Sequence, residues 1–399
     1  MVISPLYLAL FVVLGVFALG DIVGISTKSK LSSVFVALIV FLLLFMADII
    51  PPDIVAQAQL TGIGMFAAPF LIFHMGTSIS ITQLRQEWKV LVLATVSVIA
   101  GLSGVLATTP IIGREAAIVS APIVNGGIIA TQILTGVAME QGFTLAAALG
   151  TMIFVVQRFF GNIPASIAAT REAKLLIAEY REKKMNGIDL LKEYNESETN
   201  ISNSQKKLQL WKKLDKYWTS YVVLGVVAVF SLVASILGSL TPIPLSIWSL
   251  IFGVLSAQFG IVPPNILDKG KATGIFLVAT LASLVPALAD VTPASLFQLG
   301  FELLVVFAGA FLALYVIMLL LPTWKLIGSK NLTVGIAMSQ FLAFPATFLV
   351  VNEVAIAISQ NEDEKQYIIK KLTPAFVVSG FVSVTTLSVI VAGIFATIL

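Results

Sequence analysis

The chain has 399 residues, of which 58% are hydrophobic and 11% charged. Soluble domains average roughly 45–50% apolar and about 25% charged, so this composition excludes an ordinary soluble protein and predicts a polytopic helical membrane protein. With no cysteine, disulfides and thiolate metal sites are excluded, and the formal net charge of +3 gains meaning only once the charges are placed on loops.

A hydrocarbon core about 30 Å thick takes about 20 residues of helix. In chain order, apolar stretches predict spans at about 5–20, 32–50, 58–77, 88–109 and 143–165, then 219–240, 243–260, 273–290, 297–321 and 373–398. The opening MVISPLYLAL carries neither a basic n-region nor a small-residue cleavage site, so it reads as the first span. Between 166 and 218 lies a charged linker with 11 basic and 8 acidic residues; its stretch REAKLLIAEYREKKMNGIDLLKEY has apolar residues at helical spacing, as in an interfacial amphipathic helix. Two segments, about 115–140 and 331–358, are apolar yet rich in Gly, Pro and amides: VSAPIVNGGIIATQILTG and VGIAMSQFLAFPATFLVVNEVA.

Charge decides how these two segments run, because Lys and Arg in short loops stay cytoplasmic. If both are re-entrant hairpins, then Lys28, Lys30, Arg85, Lys89, the central linker, Lys269, Lys271, Lys325, Lys330, Lys365, Lys370 and Lys371 share the cytoplasmic side. Only Arg114 then falls outside, and only Arg158 lies within a span. Continuous crossings would separate the Lys28–Lys30 loop from the linker. Five crossings per half is an odd number, so the halves lie upside down relative to each other. A repeated phrase agrees: IPPDI at 50–54 and VPPNI at 262–266 are each followed by Thr-Gly-Ile ten residues after the first proline, 212 positions apart. ATQIL (130–134) and ATFLV (346–350) match at an offset of 216. The expected fold is therefore an all-α membrane protein of two inverted-topology repeats, 1–165 and 219–399, each of five transmembrane helices plus one re-entrant hairpin, joined by the linker 166–218. The expected location is the plasma membrane, with both termini extracytoplasmic and the linker cytoplasmic.

Backbone that leaves the helical ladder at membrane depth must be satisfied by protein, water or ligand. Hairpins entering from opposite faces bring their tips toward the midplane, the arrangement of an alternating-access carrier. Candidate substrate-binding residues at the tips are Asn125, Gly126, Gly127, Thr131, Gln132, Pro345 and Thr347, with Gln340, Asn352 and Glu353 as ion-coupling candidates. Gly126 and Gly127 offer backbone freedom and close approach. Polar groups in membrane segments also serve as helix-packing contacts. Arg158 is either a bidentate ligand for a substrate carboxylate, a snorkelling side chain or half of a structural ion pair, with Glu353 as one possible partner. Gln157 beside it points to a different helix face. His74, the only histidine, reads as a packing or interfacial residue rather than a metal ligand, and Asp48, Asp290 and Glu302 read as solvated span ends.

The layout resembles the glutamate:sodium symporter family, which is distantly related to the 2-hydroxycarboxylate carriers. SAPIVNGGIIAT resembles the family's first hairpin through Gly126 and Gly127, with Ile128 where the family usually carries His. FLAFPATFLVVNEV resembles the second through Pro345, Ala346 and Thr347, with Asn352 later than the family's Asn. The resemblance implies Na⁺-coupled symport of a small carboxylate such as glutamate or another amino acid, and a homodimer in the bilayer. The alternatives are a proton-coupled carrier or exporter of another organic anion, and a channel. No phosphate-binding loop, paired carboxylates or metal cluster suggests an enzyme, a resident metal or a nucleic-acid partner.

Overall fold

The computed structural model describes residues 5–26, 33–79, 85–187, 190–191, 210–342 and 346–399. Within them the chain is helical, with no strand. The first half runs α1 (Pro5–Ser26), α2 (Ser33–Met46), α3 (Leu60–Ser78) and α4 (Trp88–Leu106). The pair α5 (Arg114–Val124) and α6 (Ile128–Glu140) follows, and then α7 (Thr144–Met185). The second half runs α8 (Ser220–Leu240), α9 (Leu245–Gln258), α10 (Thr273–Ala282) and α11 (Pro293–Tyr315). The pair α12 (Lys330–Met338) and α13 (Ala346–Ile358) precedes α14 (Glu362–Phe381) and α15 (Ser388–Ala396).

Among the described residues, seven helical segments are long and apolar enough to cross a membrane: Pro5–Val23, Leu60–Ser78, Trp88–Ile112, Thr144–Met185, Ser220–Leu240, Pro293–Leu320 and Glu362–Ala396. Three expected spans are shorter. Helices α2 and α9 have 14 residues each, only about 21 Å at 1.5 Å per residue. Pro51-Pro52 follow the end of α2, and Pro242 and Pro244 precede α9, where a missing N–H and fixed φ keep the helix from extending. The third, α10, has 10 residues before the chain tightens into a 3₁₀ turn at Val285–Leu288. In the opposite sense, α7 runs 42 residues without a break, about 63 Å. The first twenty residues assigned to the linker are therefore a continuation of the span, not a separate interfacial helix. Likewise α14 begins at Glu362, eleven residues before the expected span, because the Asn361 side chain caps it by accepting from the Glu364 N–H at 2.9 Å.

Local structure follows the repeated phrase closely. Helices α2 and α9 have the same bounds 212 positions apart (245 − 33 and 258 − 46). After each Pro-Pro pair comes one helical turn, Ile54–Gln57 and Ile266–Lys269, again 212 apart. The left-handed residues Asp48 and Gln59 have counterparts at Gly260 and Lys271, with φ of 53° and 58° against 67° and 55°. The hairpin arms shift the register slightly. Helices α6 and α13 have 13 residues each and start 218 apart, so the ATQIL and ATFLV segments stand two residues out of step.

The halves interlock through glycine crossings. A Cβ on Gly309 of α11 would lie 2.6 Å from the Gly104 carbonyl of α4, and a Cβ on Gly76 of α3 would lie 2.9 Å from the Gly253 Cα of α9. Such backbone approach is how membrane helices gain packing that lipid cannot supply. Peripheral helices expose large apolar side chains, among them Phe11 on α1, Leu232 on α8 and Leu312 on α11, as expected of a lipid-facing rim. Lys89, Lys370 and Lys371 line one cavity, and Arg114 donates from Nη2 to the Ile398 carbonyl at 2.8 Å.

Candidate functional site

Helices α5 and α6 fold back on each other. A Cβ added to Gly150 of α7 would meet Ile123 Cδ1 at 2.7 Å, Val119 Cγ1 at 3.0 Å and Thr135 Cγ2 at 3.3 Å, so both arms stand at one level of α7. In a straight helix Val119 and Thr135 would be separated by about 24 Å. The chain reverses at Asn125-Gly126-Gly127, just after Pro122. Asn125 is fully buried and donates from Nδ2 to the Ala121 carbonyl at 3.0 Å, which ends the first arm. Gln157 of α7 donates from Nε2 to the Gly126 carbonyl at 2.9 Å. Gly126 and Gly127 lie outside the left-handed region. Their value is space rather than φ freedom: a Cβ on Gly127 would come within 2.6 Å of Val384 Cγ1, and one on Gly126 within 2.7 Å of the Pro122 carbonyl.

The second hairpin approaches along the other end of α7. A Cβ on Gly161 would lie 2.5 Å from Phe341 Cβ and 3.4 Å from the Met338 carbonyl. At its base, Ser329 donates to Glu172 and caps α12 by accepting from the Leu332 N–H. So α7 acts as a ruler. The first hairpin occupies the level of residues 150–157, the second that of 161–172, and the tips are separated by four residues, about 6 Å of rise. The last helix of the second half repeats the relation. A Cβ on Gly380 of α14 would meet Thr347 Cγ2 at 2.6 Å and the Ser339 carbonyl at 3.3 Å, while the first tip packs on Val384 and Ser388. Between α14 and α15, residues Val382–Leu387 form a π-helical turn facing the glycine tip. Such turns recur at functional sites because they release backbone groups from the regular ladder.

The tips concentrate buried polar atoms that have no hydrogen-bond partner among the described residues: Asn125 Oδ1, Gln157 Oε1, both amide atoms of Gln340, Thr347 Oγ1 and Ser383 Oγ. An unsatisfied buried polar group costs about 1–3 kcal/mol, so these atoms call for water or a ligand. Amide orientation is constrained as well. The NH₂ groups of Asn125, Gln157 and Gln132 all donate to backbone carbonyls, those of Ala121, Gly126 and Gly64. Flipping any of them would set oxygen against oxygen. The amides of Asn125 and Gln157 thus leave only their oxygens unpartnered, whereas Gln340 offers both an acceptor and a donor.

Other candidates fall elsewhere. Gln132 ties α6 to the Gly64 carbonyl of α3 at 2.8 Å. Thr131 donates to the Gly127 carbonyl at 3.1 Å, supporting the tip from behind. Pro345 lies outside the described residues. Asn352 donates to the Phe348 carbonyl of its own helix at 2.9 Å. Glu353, an ion-coupling candidate and possible partner of Arg158, is exposed and forms no ion pair with Arg158. Six residues beyond Thr347, it lies about 9 Å further down the arm. The deeply buried carboxylates are instead Glu364, Glu302 and Glu172. Glu302, expected to be solvated, is 7% exposed and accepts from Gln298 Nε2 at 2.7 Å. It sits about 13 Å into α11, where neighbouring helices cover it. Arg158 is half-buried at the level between the two tips, with no hydrogen bond or ion pair among the described residues.

Sequence reasoning passed over Gln157, Gly101, whose bare backbone makes room for the Asn125 amide, and the hydroxyl run Ser383, Thr385, Thr386 and Ser388. A run of hydroxyls inside an apolar span was the available signal for the last of these. His74 is buried and accepts from the Leu267 N–H at 3.2 Å through Nδ1, fastening α3 to the second Pro-Pro turn. Among the described residues no three His, Cys, Asp or Glu stand together as a metal site. An apolar cavity of about 290 Å³ between Met65, Pro69, Ile133 and Pro244 includes none of the tip residues. No protein-family model matches the chain, and no curated protein matches it.

Proposed function

We propose that the protein is a secondary active transporter for a small carboxylate, an amino acid such as glutamate or a related organic acid, working by alternating access and coupled to Na⁺. One observation carries the reading: two broken hairpins pack along α7 with the contacts of their tips four residues apart on it, beside buried polar atoms without partners among the described residues. A site shared by two oppositely directed hairpins has one gate on each side, the requirement for alternating access. In this reading the halves 1–165 and 219–399 form an inverted-topology repeat, supported by the matched helix bounds and left-handed residues 212 positions apart.

The chemistry divides between the tips. Amide oxygens of Asn125 and Gln157 suit a hard cation such as Na⁺, which takes oxygen ligands, or a substrate ammonium. Gln340 and Thr347 can donate to a carboxylate, and Arg158, level with the gap, supplies the planar donor fork that such a group accepts. The resemblance to the glutamate:sodium symporters in the two hairpins points the same way. It extends the proposal to a homodimer in the plasma membrane, with extracytoplasmic termini and no enzymatic role. A proton-coupled version of this carrier draws on a different observation, the buried Glu302 carboxylate within a membrane-crossing helix, since such residues commonly mark proton relays.

The deciding experiment is uptake into proteoliposomes holding the full-length protein, with labelled glutamate, aspartate, citrate and malate tested under an inward Na⁺ gradient, a proton gradient or neither. Saturable, Na⁺-dependent accumulation supports the proposal. Proton-driven accumulation selects the Glu302 version, and non-saturating flux that ignores both gradients would indicate a channel.

A further inference from the structure

The C-terminal end of α3 is bonded to the single turn Ile266–Lys269 that follows the second Pro-Pro pair. Thr77 Oγ1 accepts from the Ile266 N–H at 3.3 Å, His74 Nδ1 accepts from the Leu267 N–H at 3.2 Å, and Ser78 donates to Asn265 Oδ1. Ile266 and Leu267 open the turn, so their N–H groups have no acceptor within it. Both residues are fully buried, which leaves those N–H groups dependent on α3 rather than on water.

Of the three α3 side chains in this contact, only His74 titrates near neutral pH. Accepting through Nδ1 requires the neutral ring with its proton on Nε2. That nitrogen faces Asp268 Oδ2 at 4.0 Å, beyond hydrogen-bond range. The other Asp268 oxygen accepts from Thr273 at 2.5 Å. A second proton changes both edges of the ring: it sets an N–H against the Leu267 N–H, and it creates a positive charge that Asp268 attracts. Other neighbours are mostly neutral. Helices α9 and α10, the turn Ile54–Gln57 and the π-helical turn Val382–Leu387 pack on α3 and carry no ionisable side chain. Helix α8 brings Tyr221, exposed near its start, α6 brings Glu140, its last residue, and Lys269 is paired with Asp215.

We propose that His74 is a proton-binding site that controls this contact. Neutral, it holds α3 to the second Pro-Pro turn; protonated, it releases the Leu267 N–H and turns toward Asp268. The contact is therefore complete at high pH and is lost as pH falls. Helix α3 also accepts Gln132 of the first hairpin at its Gly64 carbonyl, so one helix joins the titrating contact to a hairpin arm. The proposal stands whether or not the chain is a carrier.

The chain has one histidine, so isotope-labelled histidine reports on His74 alone when the full-length protein is purified without a histidine tag. Nitrogen NMR of the ring and hydrogen exchange at Leu267 are followed in nanodiscs from about pH 8 to about pH 5.5, the range in which an ordinary imidazole titrates. At high pH only Nε2 should carry a proton. As the second proton binds, Leu267 exchange, corrected for its intrinsic pH dependence, should accelerate by about tenfold. His74→Asn keeps a neutral acceptor in place of Nδ1 and should abolish that pH dependence. Asp268→Asn should move the acceleration to more acidic pH. A ring protonated on Nδ1 at high pH, a ring still neutral at the acidic limit, or Leu267 exchange indifferent to ring protonation overturns the proposal, as does an unchanged onset in Asp268→Asn. These outcomes do not depend on whether His74→Asn folds; if it does, a pH profile equal to the parent's is equally fatal.

Discussion

The Gln157 side chain reaches from α7 to the Gly126 carbonyl, 31 residues earlier in the chain, and donates to it at 2.9 Å. This one bond holds the break of the first hairpin at a fixed level of the longest helix and turns the Gln157 carbonyl oxygen away from it, where it has no described partner. Replacing Gln157 by Leu should leave the Gly126 carbonyl buried and unmet, lowering stability by about 1–3 kcal/mol and abolishing uptake. Gln157→Glu keeps the shape but loses the donor when ionised, so it should fail similarly at neutral pH. Melting temperature and proteoliposome uptake check both, and normal values in the two variants would remove Gln157 from the tip.

The glycines of the tip make a sharper contrast. A methyl at Gly127 meets only the Val384 side chain closely, at 2.6 Å, whereas one at Gly126 meets the Pro122 backbone carbonyl at 2.7 Å. Gly127→Ala should therefore impair uptake and be rescued by Val384→Ala. Gly126→Ala should not be rescued by any side-chain truncation, because backbone must move. Uptake by the double variant equal to that of Gly127→Ala alone would mean the tip does not pack on the π-helical turn as described.

Arg158 stands level with the gap between the hairpins, and no ion pair holds it among the described residues. If it binds a substrate carboxylate, Arg158→Gln should weaken apparent affinity at least about tenfold, since a charge-assisted bond contributes about 1.5–3 kcal/mol. Arg158→Lys should be nearly as poor, having lost the planar fork. Glu353→Gln should leave stability unchanged, because that carboxylate is exposed and pairs with nothing described. Substrate affinity and melting temperature of the three variants test this, and unchanged affinity in Arg158→Lys would assign the carboxylate to Gln340 and Thr347.

Toward its C-terminal end, α7 is fastened to the start of α14. Arg181 donates from Nε and Nη2 to the two Glu364 oxygens at 2.7 and 3.0 Å, Lys184 pairs with Asp363 at 3.1 Å, and the Tyr180 and Tyr367 rings lie 5.0 Å apart. Glu364 is buried and also accepts from the Gln360 N–H at 2.8 Å. Breaking one side leaves a buried charge unmatched, so Arg181→Gln should lower the melting temperature. Arg181→Gln combined with Glu364→Gln should recover part of the loss. A double variant as unstable as the two losses summed would show the groups to be uncoupled.

Topology can be read with single cysteines in this cysteine-free chain. Asp53 and Pro264 are both exposed in the two Pro-Pro turns, whereas Asn265 is a poor probe because its φ of 51° favours Asn. Asp53→Cys should label from outside and Pro264→Cys from the cytoplasm. Labelling of both from one side would end the inverted-repeat proposal.

How much of this was written in the sequence depends on which physical property carried it. Solvent and helical class follow from composition, because a chain this apolar cannot stay folded in water. The breaks at Asn125-Gly126-Gly127 and after Gln340 were legible because Gly, Pro and buried amides interrupt a hydropathy run. The matched turns after Pro51-Pro52 and Pro263-Pro264 were legible because Pro-Pro pairs constrain backbone locally. Direction was not legible. Gln157 and Arg158 are adjacent hydrogen-bonding residues in one span, and only the packing of α5 and α6 against α7 decides that the amide meets the tip carbonyl. Glu302, expected to be solvated, is buried and Glu353 is exposed, because hydropathy reports depth along a helix, while burial depends on which neighbouring helix covers a given face. The extension of α7 through 166–185 was hidden for the same reason: a charged stretch reads as loop until Glu172, Arg181 and Lys184 are matched by Ser329, Glu364 and Asp363, partners about 160–180 residues away that only the tertiary structure supplies.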